Sequence, residues 1–158
     1  MVGKPKGWFQ MSQPIIRDMD RKDIDAVEMI ERETFSTPWS REIYLKEIEE
    51  NKFAYYFVIE EDQEIVGFCG VWFVFDDAQI TNLAIDKRHR NKGYGKMLFQ
   101  YVLNRAIARG IHQLSLEVRE SNETAQSLYK KFGLQPAGIR KQYYTDNQED
   151  AIVMWVKL

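Results

Sequence analysis

Residues 90–95 read RNKGYG, within the longer stretch ITNLAIDKRHRNKGYGKMLFQYVL. Two glycines one residue apart, the basic residues Lys87, Arg88, Arg90 and Lys92, and a helix-like pattern behind them suit the binding of an oxyanion. Without a Cβ in the way, Gly93 and Gly95 let backbone amides face a bound phosphate. A helix opening at about Gly93 adds free N–H groups and its positive dipole end. Arg90, Asn91, Lys92, Gly93, Tyr94, Gly95 and Lys96 are therefore candidates for holding a pyrophosphate. Two familiar phosphate loops do not fit. The dinucleotide pattern G-x-G-x-x-G needs a third glycine where Leu98 stands. The pattern G-x-x-x-x-G-K-[ST] needs glycine at Arg90 and Ser or Thr at Met97. The remaining alternative is a glycine-rich turn with solvated basic side chains.

The elements that would position this junction follow from apolar periodicity. PIIRDM (14–19) is a short strand candidate. In DRKDIDAVEMIERETF, Ile24, Val27, Ile30 and Thr34 recur at helical spacing. Pro38 separates that helix from SREIYLKEIEEN, which has Tyr44, Leu45 and Ile48 on one side and Ser40 as its cap. Three runs rich in aromatic and β-branched residues, 53–60, 65–75 and 78–85, are joined by turns too short for crossovers, so they form an antiparallel meander. The junction helix buries Tyr94, Leu98, Tyr101, Val102 and Ala106 and stops at Gly110. A strand at 111–118 follows this crossover and runs parallel to 78–85. Ala125, Leu128, Tyr129 and Phe132 mark a short helix between a cap at Asn122 and a stop at Gly133. GIRKQYYT and EDAIVMWVKL close the chain as a hairpin around DNQ. The expected fold is α/β: a single mixed, mostly antiparallel sheet with helices on both faces, in the order βααβββαβαββ.

The chain has 158 residues, enough for one domain with a sizeable core. A flexible extension is expected over residues 1–13, where Trp8 and Phe9 could dock, and a single domain over 14–158. A net charge of −2 argues against a broad basic face for nucleic acid. The apolar runs are too short to span a membrane and no leader is seen, so the cytoplasm is the default location. Cys69 is the one cysteine, it lies in the apolar run GFCGVWF with no base beside it in sequence, and it reads as a buried small residue. His112 is not part of any metal-ligand spacing, so no metal is expected.

The motif RNKGYG matches the Q/R-x-x-G-x-G/A pattern of the GNAT acetyltransferase superfamily, with His89 standing where a tyrosine is more usual. The resemblance extends from about Pro14 to Val156 through NLAI, LEVRESNETAQSLYKKFGL and the element order. FSTPWS (35–40), GIRKQYYTD (138–146) and EDAIVMWV (149–156) narrow it to the ribosomal-protein-alanine N-acetyltransferases. The resemblance implies that the 90–96 loop binds acetyl-CoA, that Leu83, Ala84 and Ile85 offer main-chain groups to its pantetheine arm, and that Asn122 hydrogen-bonds that arm. Strand alternation sets Glu117 opposite Leu114 and Leu116. The resemblance makes Glu117 the general base. A free glutamate titrates near about 4.3 and an α-amine near about 8, so a water relay or a low-solvent site is implied. A surface Glu117 paired with Arg119 is the plainer alternative. Tyr129 is implied to protonate the departing thiolate; otherwise it is a core aromatic whose hydroxyl reaches water. Phe35, Trp39, Tyr143 and Tyr144 are implied to line the entrance for the acceptor peptide, unless most of them are core residues. Glu33 and nearby carboxylates could draw in a basic N-terminus. The implied acceptor is the N-terminal alanine of ribosomal protein S18. Other N-termini, a lysine or a small amine remain alternatives, as does a non-catalytic CoA-binding module. The sequence leaves oligomeric state open.

Overall fold

A computed structural model describes residues 13–158. The extension expected over 1–13, with Trp8 and Phe9, lies outside the described residues except for Gln13. The elements follow in the expected order: β1 (Ile15–Asp18), a 3₁₀ turn (Arg21–Asp23), α1 (Ile24–Thr34), α2 (Arg41–Glu50), β2 (Ala54–Glu61), β3 (Glu64–Val74), β4 (Asp77–Ile85), a second 3₁₀ turn (Lys87–His89), α3 (Tyr94–Ala108), β5 (Gln113–Arg119), α4 (Glu123–Lys131), β6 (Gln135–Tyr144) and β7 (Glu149–Lys157). Local chemistry fixes the boundaries. The Ser40 hydroxyl accepts from Ile43 N–H at 3.3 Å and opens α2. Asn122 Oδ1 accepts from Ala125 N–H at 3.1 Å and opens α4. Gly110 and Gly133, at φ +78° and +90°, supply the left-handed turns after α3 and α4.

One seven-stranded sheet runs in the order β1-β2-β3-β4-β5-β7-β6. Every neighbouring pair is antiparallel except β4–β5, where the α3 crossover makes the strands parallel. α3 and α4 cover one face, and Leu98, Phe99, Val102 and Tyr129 pack there on Phe57, Cys69, Leu114 and Leu116. α1 and α2 cover the other, where Ile24, Val27, Ile30 and Tyr44 meet Val58 and Phe68. This is the fold expected of the GNAT superfamily.

The register of β3 on β4 contains one irregularity that matters for the site. Val71 pairs with Ile80 and Gly70 pairs with Asn82, so Thr81 is an extra residue on β4. A one-residue bulge reverses which face the following side chains occupy. Ala78 and Ile80 pack in the α3 core, whereas Ala84 belongs to the α1–α2 core and Leu83 and Ile85 lean toward α3. Gly70 opposite makes room for the bulge. A Cβ there would stand 2.4 Å from Tyr56 Cε1 and 2.7 Å from Thr81 Oγ1. The Tyr56 ring cannot easily retreat, because it packs edge-on against Tyr44 at 5.8 Å and its hydroxyl donates to Glu47 at 3.2 Å. Gly70→Ala should therefore cost about 1–3 kcal/mol through overpacking. Urea unfolding would show it as a lower midpoint at unchanged slope; an unchanged midpoint would mean that the ring and Thr81 yield freely.

Candidate active site

β4 and β5 are joined at only three positions, Asp77↔Gln113, Ala78↔Leu114 and Gln79↔Ser115. Beyond Ser115, β5 continues along β7 as far as Arg119↔Ala151, while β4 continues along β3 as far as Ile85. The two strands part, and a cleft of about 590 Å³ opens between them. Its walls are Gln79–Leu83 of β4, Leu116–Arg119 of β5, the 34–39 segment, Asn122 and Tyr129 near α4, and residues 143–145. Open strand edges at this gap leave main-chain groups without a sheet partner, which an extended ligand can use.

The cleft gathers eight of the residues singled out in the sequence: Phe35, Trp39, Leu83, Glu117, Asn122, Tyr129, Tyr143 and Tyr144. Glu117 is not the surface residue of the plainer alternative. Its side chain is 16% exposed and its Oε1 lies 2.8 Å from Nε of Arg140, not of Arg119. Tyr143 lies near enough to Glu117 to feel its charge; burial first, and then this carboxylate, raise the Tyr143 pKa. Tyr129 is 7% exposed, with its ring 5.3 Å from that of Phe99. Burial, reinforced by the neighbouring Cys69 and Tyr144, pushes its hydroxyl pKa well above the usual tyrosine range. The hydroxyl is therefore protonated at any physiological pH. Cys69 is fully buried, and burial raises its thiol pKa too.

Ala84, Ile85 and residues 90–96 do not line this cleft; they carry β4 onward into the glycine junction. Asn91 (φ +64°) and Gly93 (φ +81°) both take the left-handed conformation that turns a loop of amides inward. Gly93 caps α3 without a side-chain bond, so the first-turn N–H groups of this 15-residue helix carry no side-chain cap. A Cβ at Gly95 would meet Ile85 and Leu128 only at an ordinary 3.8 Å, so packing does not require glycine there. The bare surface at Gly95 suits a ligand lying over the helix end. The basic side chains are largely engaged within the loop. Arg88 Nη2 reaches Asp86 at 2.7 Å and Glu64 at 3.3 Å. Arg90 Nε donates to the Ile85 carbonyl at 3.1 Å. Lys92 Nζ is 3.7 Å from Glu61, whose buried Oε2 also lies 3.2 Å from His89 Nδ1. Backbone amides and the helix dipole thus remain as the main attraction for an anion, with Lys96 exposed beside them.

The aromatic end of the cleft is tied together by a network around Arg119, which the sequence reading offered only as a partner for Glu117. Arg119 stacks 3.9 Å over the Tyr144 ring and pairs with Asp146 at 3.1 Å and Glu149 at 3.3 Å. Ser36 donates to Asp146, joining the 35–40 loop to the hairpin. Burial pushes the Tyr144 pKa up to about 12 despite Arg119. In β6, pairing jumps from Arg140↔Ala151 to Tyr144↔Glu149, so residues 141–143 stand opposite Asp150 alone. Asp150 accepts from Gln142 N–H at 2.8 Å and from Lys141 Nζ at 3.3 Å, which fixes this loop in the strand. Gly70 within the apolar run of β3 was the available signal for the β4 bulge; Asp150 beside the turn carried no comparable signal.

Comparison with known proteins agrees with this geometry. Residues 24–134 match the acetyltransferase (GNAT) family. A Bacillus subtilis (strain 168) protein provisionally named a [ribosomal protein bS18]-alanine N-acetyltransferase is 50% identical over 143 residues, 90% of this chain and 95% of its own. The [ribosomal protein bS18]-alanine N-acetyltransferase of Escherichia coli (strain K12) is 32% identical over 141 residues, 88% of this chain and 94% of its own. The crystal structure of the ribosomal-protein-S18-alanine N-acetyltransferase from Escherichia coli superposes with a TM-score of 0.85 at 30% identity, covering 92% of this chain and 94% of that one. Among the described residues no cluster is arranged to hold a metal ion, and no helix is long and apolar enough to cross a membrane. With a glycine junction at one end of a parted sheet and a carboxylate and a buried tyrosine in the gap, this chain belongs to the GNAT acetyltransferase family, in the group of the ribosomal-protein-alanine N-acetyltransferases.

Proposed function

We propose that this protein acetylates the N-terminal alanine of ribosomal protein bS18, in the cytoplasm, by direct transfer from acetyl-CoA. The observation that carries the reading is the presence of Glu117 and Tyr129 in one cleft between the parted strands. The names of the relatives supply the acceptor. Acetyl-CoA supplies the activated acetyl group; residues 90–96, the main chain of Leu83–Ile85 and Asn122 would hold it. Asn122 already caps α4 through Oδ1, which leaves its amide N–H groups for a ligand.

An α-amine is mostly an ammonium at neutral pH and cannot attack until it loses a proton. Glu117 takes that proton, directly or through water, once Arg140 swings aside. Arg140 can do so because its side chain is 58% exposed. Tyr129 then gives its hydroxyl proton to the leaving thiolate. Its buried setting keeps the hydroxyl protonated, and the same low-solvent surroundings raise the basicity of the thiolate formed beside it, so the proton can pass to sulfur as the C–S bond breaks. Cys69 has neither exposure nor thiolate character, so an acyl-cysteine route is disfavoured.

Phe35 and Trp39 form one wall for the acceptor and Tyr143 and Tyr144 the other. The second wall depends on the three-residue loop that Asp150 holds, because that loop aims Tyr143 at Glu117.

Incubation with acetyl-CoA and an alanine-led peptide copying the bS18 N-terminus should add one acetyl group to the first nitrogen, located by fragment mass spectrometry. Acetylation of a peptide blocked at its N-terminus would overturn the α-amine reading. Glu117→Gln and Tyr129→Phe should each lower kcat by about 10²–10⁴, with acetyl-CoA affinity unchanged by calorimetry. Cys69→Ala should keep wild-type kcat, and its loss would revive a covalent route. Asp150→Ala should raise the peptide KM by roughly tenfold while sparing the acetyl-CoA KM; equal effects on both would place Asp150 in general stability instead.

A further inference from the structure

Glu31 is a buried charge that the reaction above does not use. It lies on α1, is 2% exposed, and helps form the cleft. Its Oε1 accepts from the Tyr44 hydroxyl and from Asn82 Nδ2 at 3.1 Å, and the Trp39 N–H supports it as well. All three donors are neutral. No Lys, Arg or His among the described residues pairs with this carboxylate. A carboxylate removed from water without a cation is costly. Burial accordingly raises the Glu31 pKa, the direction expected of a group that would regain its charge when a cation arrives.

The neighbouring oxygens point the same way. Asn82 is 7% exposed and lines the cleft, and its Oδ1 has no hydrogen-bond partner. Its Nδ2 is committed to Glu31, so Oδ1 is held as an acceptor. Thr81 Oγ1, on the bulge beside it, is also buried without a partner. The residues lining this part of the cleft thus bring together one carboxylate and two buried oxygens without a partner. No cation among the described residues pairs with the carboxylate, and neither oxygen has a donor. A primary ammonium supplies a positive charge and three donors in one compact group.

We propose that Glu31, with Asn82 Oδ1 and Thr81 Oγ1, forms an ammonium subsite that holds the acceptor's amino group as a cation before Glu117 removes its proton. The inference rests on the acceptor reading above. An α-ammonium and a lysine ammonium share this chemistry; the acceptor reading above supplies the α-ammonium.

The test is calorimetric binding to CoA-saturated protein, where no acetyl group is present to transfer. Three probes are used: the alanine-led peptide, the same peptide with its first amino group replaced by hydrogen, and that deaminated peptide carrying an internal lysine. Wild type and Glu117→Gln should both prefer the free amine by roughly tenfold or more, the size of a charged hydrogen-bonded contact. Glu31→Gln should lose most of that preference with CoA affinity intact, and Glu31→Asp should recover part of it. A full preference in Glu31→Gln, or its disappearance in Glu117→Gln alone, overturns the subsite. Tight binding of the lysine probe overturns the α-ammonium assignment. If Glu31→Gln does not fold, the Glu117→Gln result decides. If no alanine-led peptide binds the wild type, the acceptor reading fails and this inference falls with it.

Discussion

The structure depends on two parallel strands that stop pairing. β4 and β5 share three residue pairs and then diverge, although each continues for several residues against its other neighbour. Strand edges normally demand partners, and a sheet that opens in its middle exposes main-chain groups where the rest of the domain has none to spare. Here the opening is held by what surrounds it. α3 and its core fix β4 from one side, and β7 fixes β5 along its full length. The gap therefore cannot close without breaking seven pairs on β5 or the register of β3 on β4. In the proposed reaction the donor loop beyond its end, the catalytic pair and the acceptor walls are all set by this one opening.

The bulge at Thr81 gives the opening its two-sided character. A regular β4 would continue to send its even-numbered side chains toward α3, as Ala78 and Ile80 do. The extra residue turns Ala84 toward α1 and brings Asn82 to Glu31, while Leu83 and Ile85 lean on the α3 core below the glycine junction. One inserted residue thus lets a single strand serve the donor loop at its end and the α1 side of the cleft in its middle. Gly70 is the local requirement for it, since the Tyr56 ring and Thr81 occupy the space of a side chain.

How far the sequence reveals this depends on which side chains are constrained by a period. Helix stripes, the caps at Ser40 and Asn122, the parallel β4–β5 relation and the positions of Glu117 and Tyr129 all rest on strong periodicity or on short motifs, and they were legible. The bulge was not, because the alternation of Ala78, Gln79, Ile80 and Thr81 gives way to Asn82 and the apolar run Leu83–Ile85, which states no face preference of its own. The loop in β6 was hidden for the opposite reason. Almost all of β6 is exposed, so no burial rhythm exists for an irregularity to interrupt. Glu31 stands four residues after Val27 and seven after Ile24, on the buried stripe of α1. A charge at that spacing is a signal, but it is easily read as the solvated edge of an amphipathic helix, because only the fold brings Tyr44 and Asn82 to it.

Three of the ionisable groups of the cleft sit in three different environments, and environment is what assigns roles to chemically similar groups. Tyr129 is enclosed by aromatic packing and keeps its proton. Glu117 is partly exposed and has a counter-ion on a mobile, solvent-facing arm. Glu31 is buried at the cleft wall, hydrogen-bonded only by neutral donors, and pairs with no cation among the described residues. An amine acceptor would bring the one component Glu31 lacks among the described residues, a compact cation with several donors. In the proposed reaction it exchanges that charge for nucleophilicity inside the cleft. A site that must first attract an ammonium and then discharge it has use for two carboxylates with unlike surroundings, one fixed to receive the cation and one free to release a proton toward solvent.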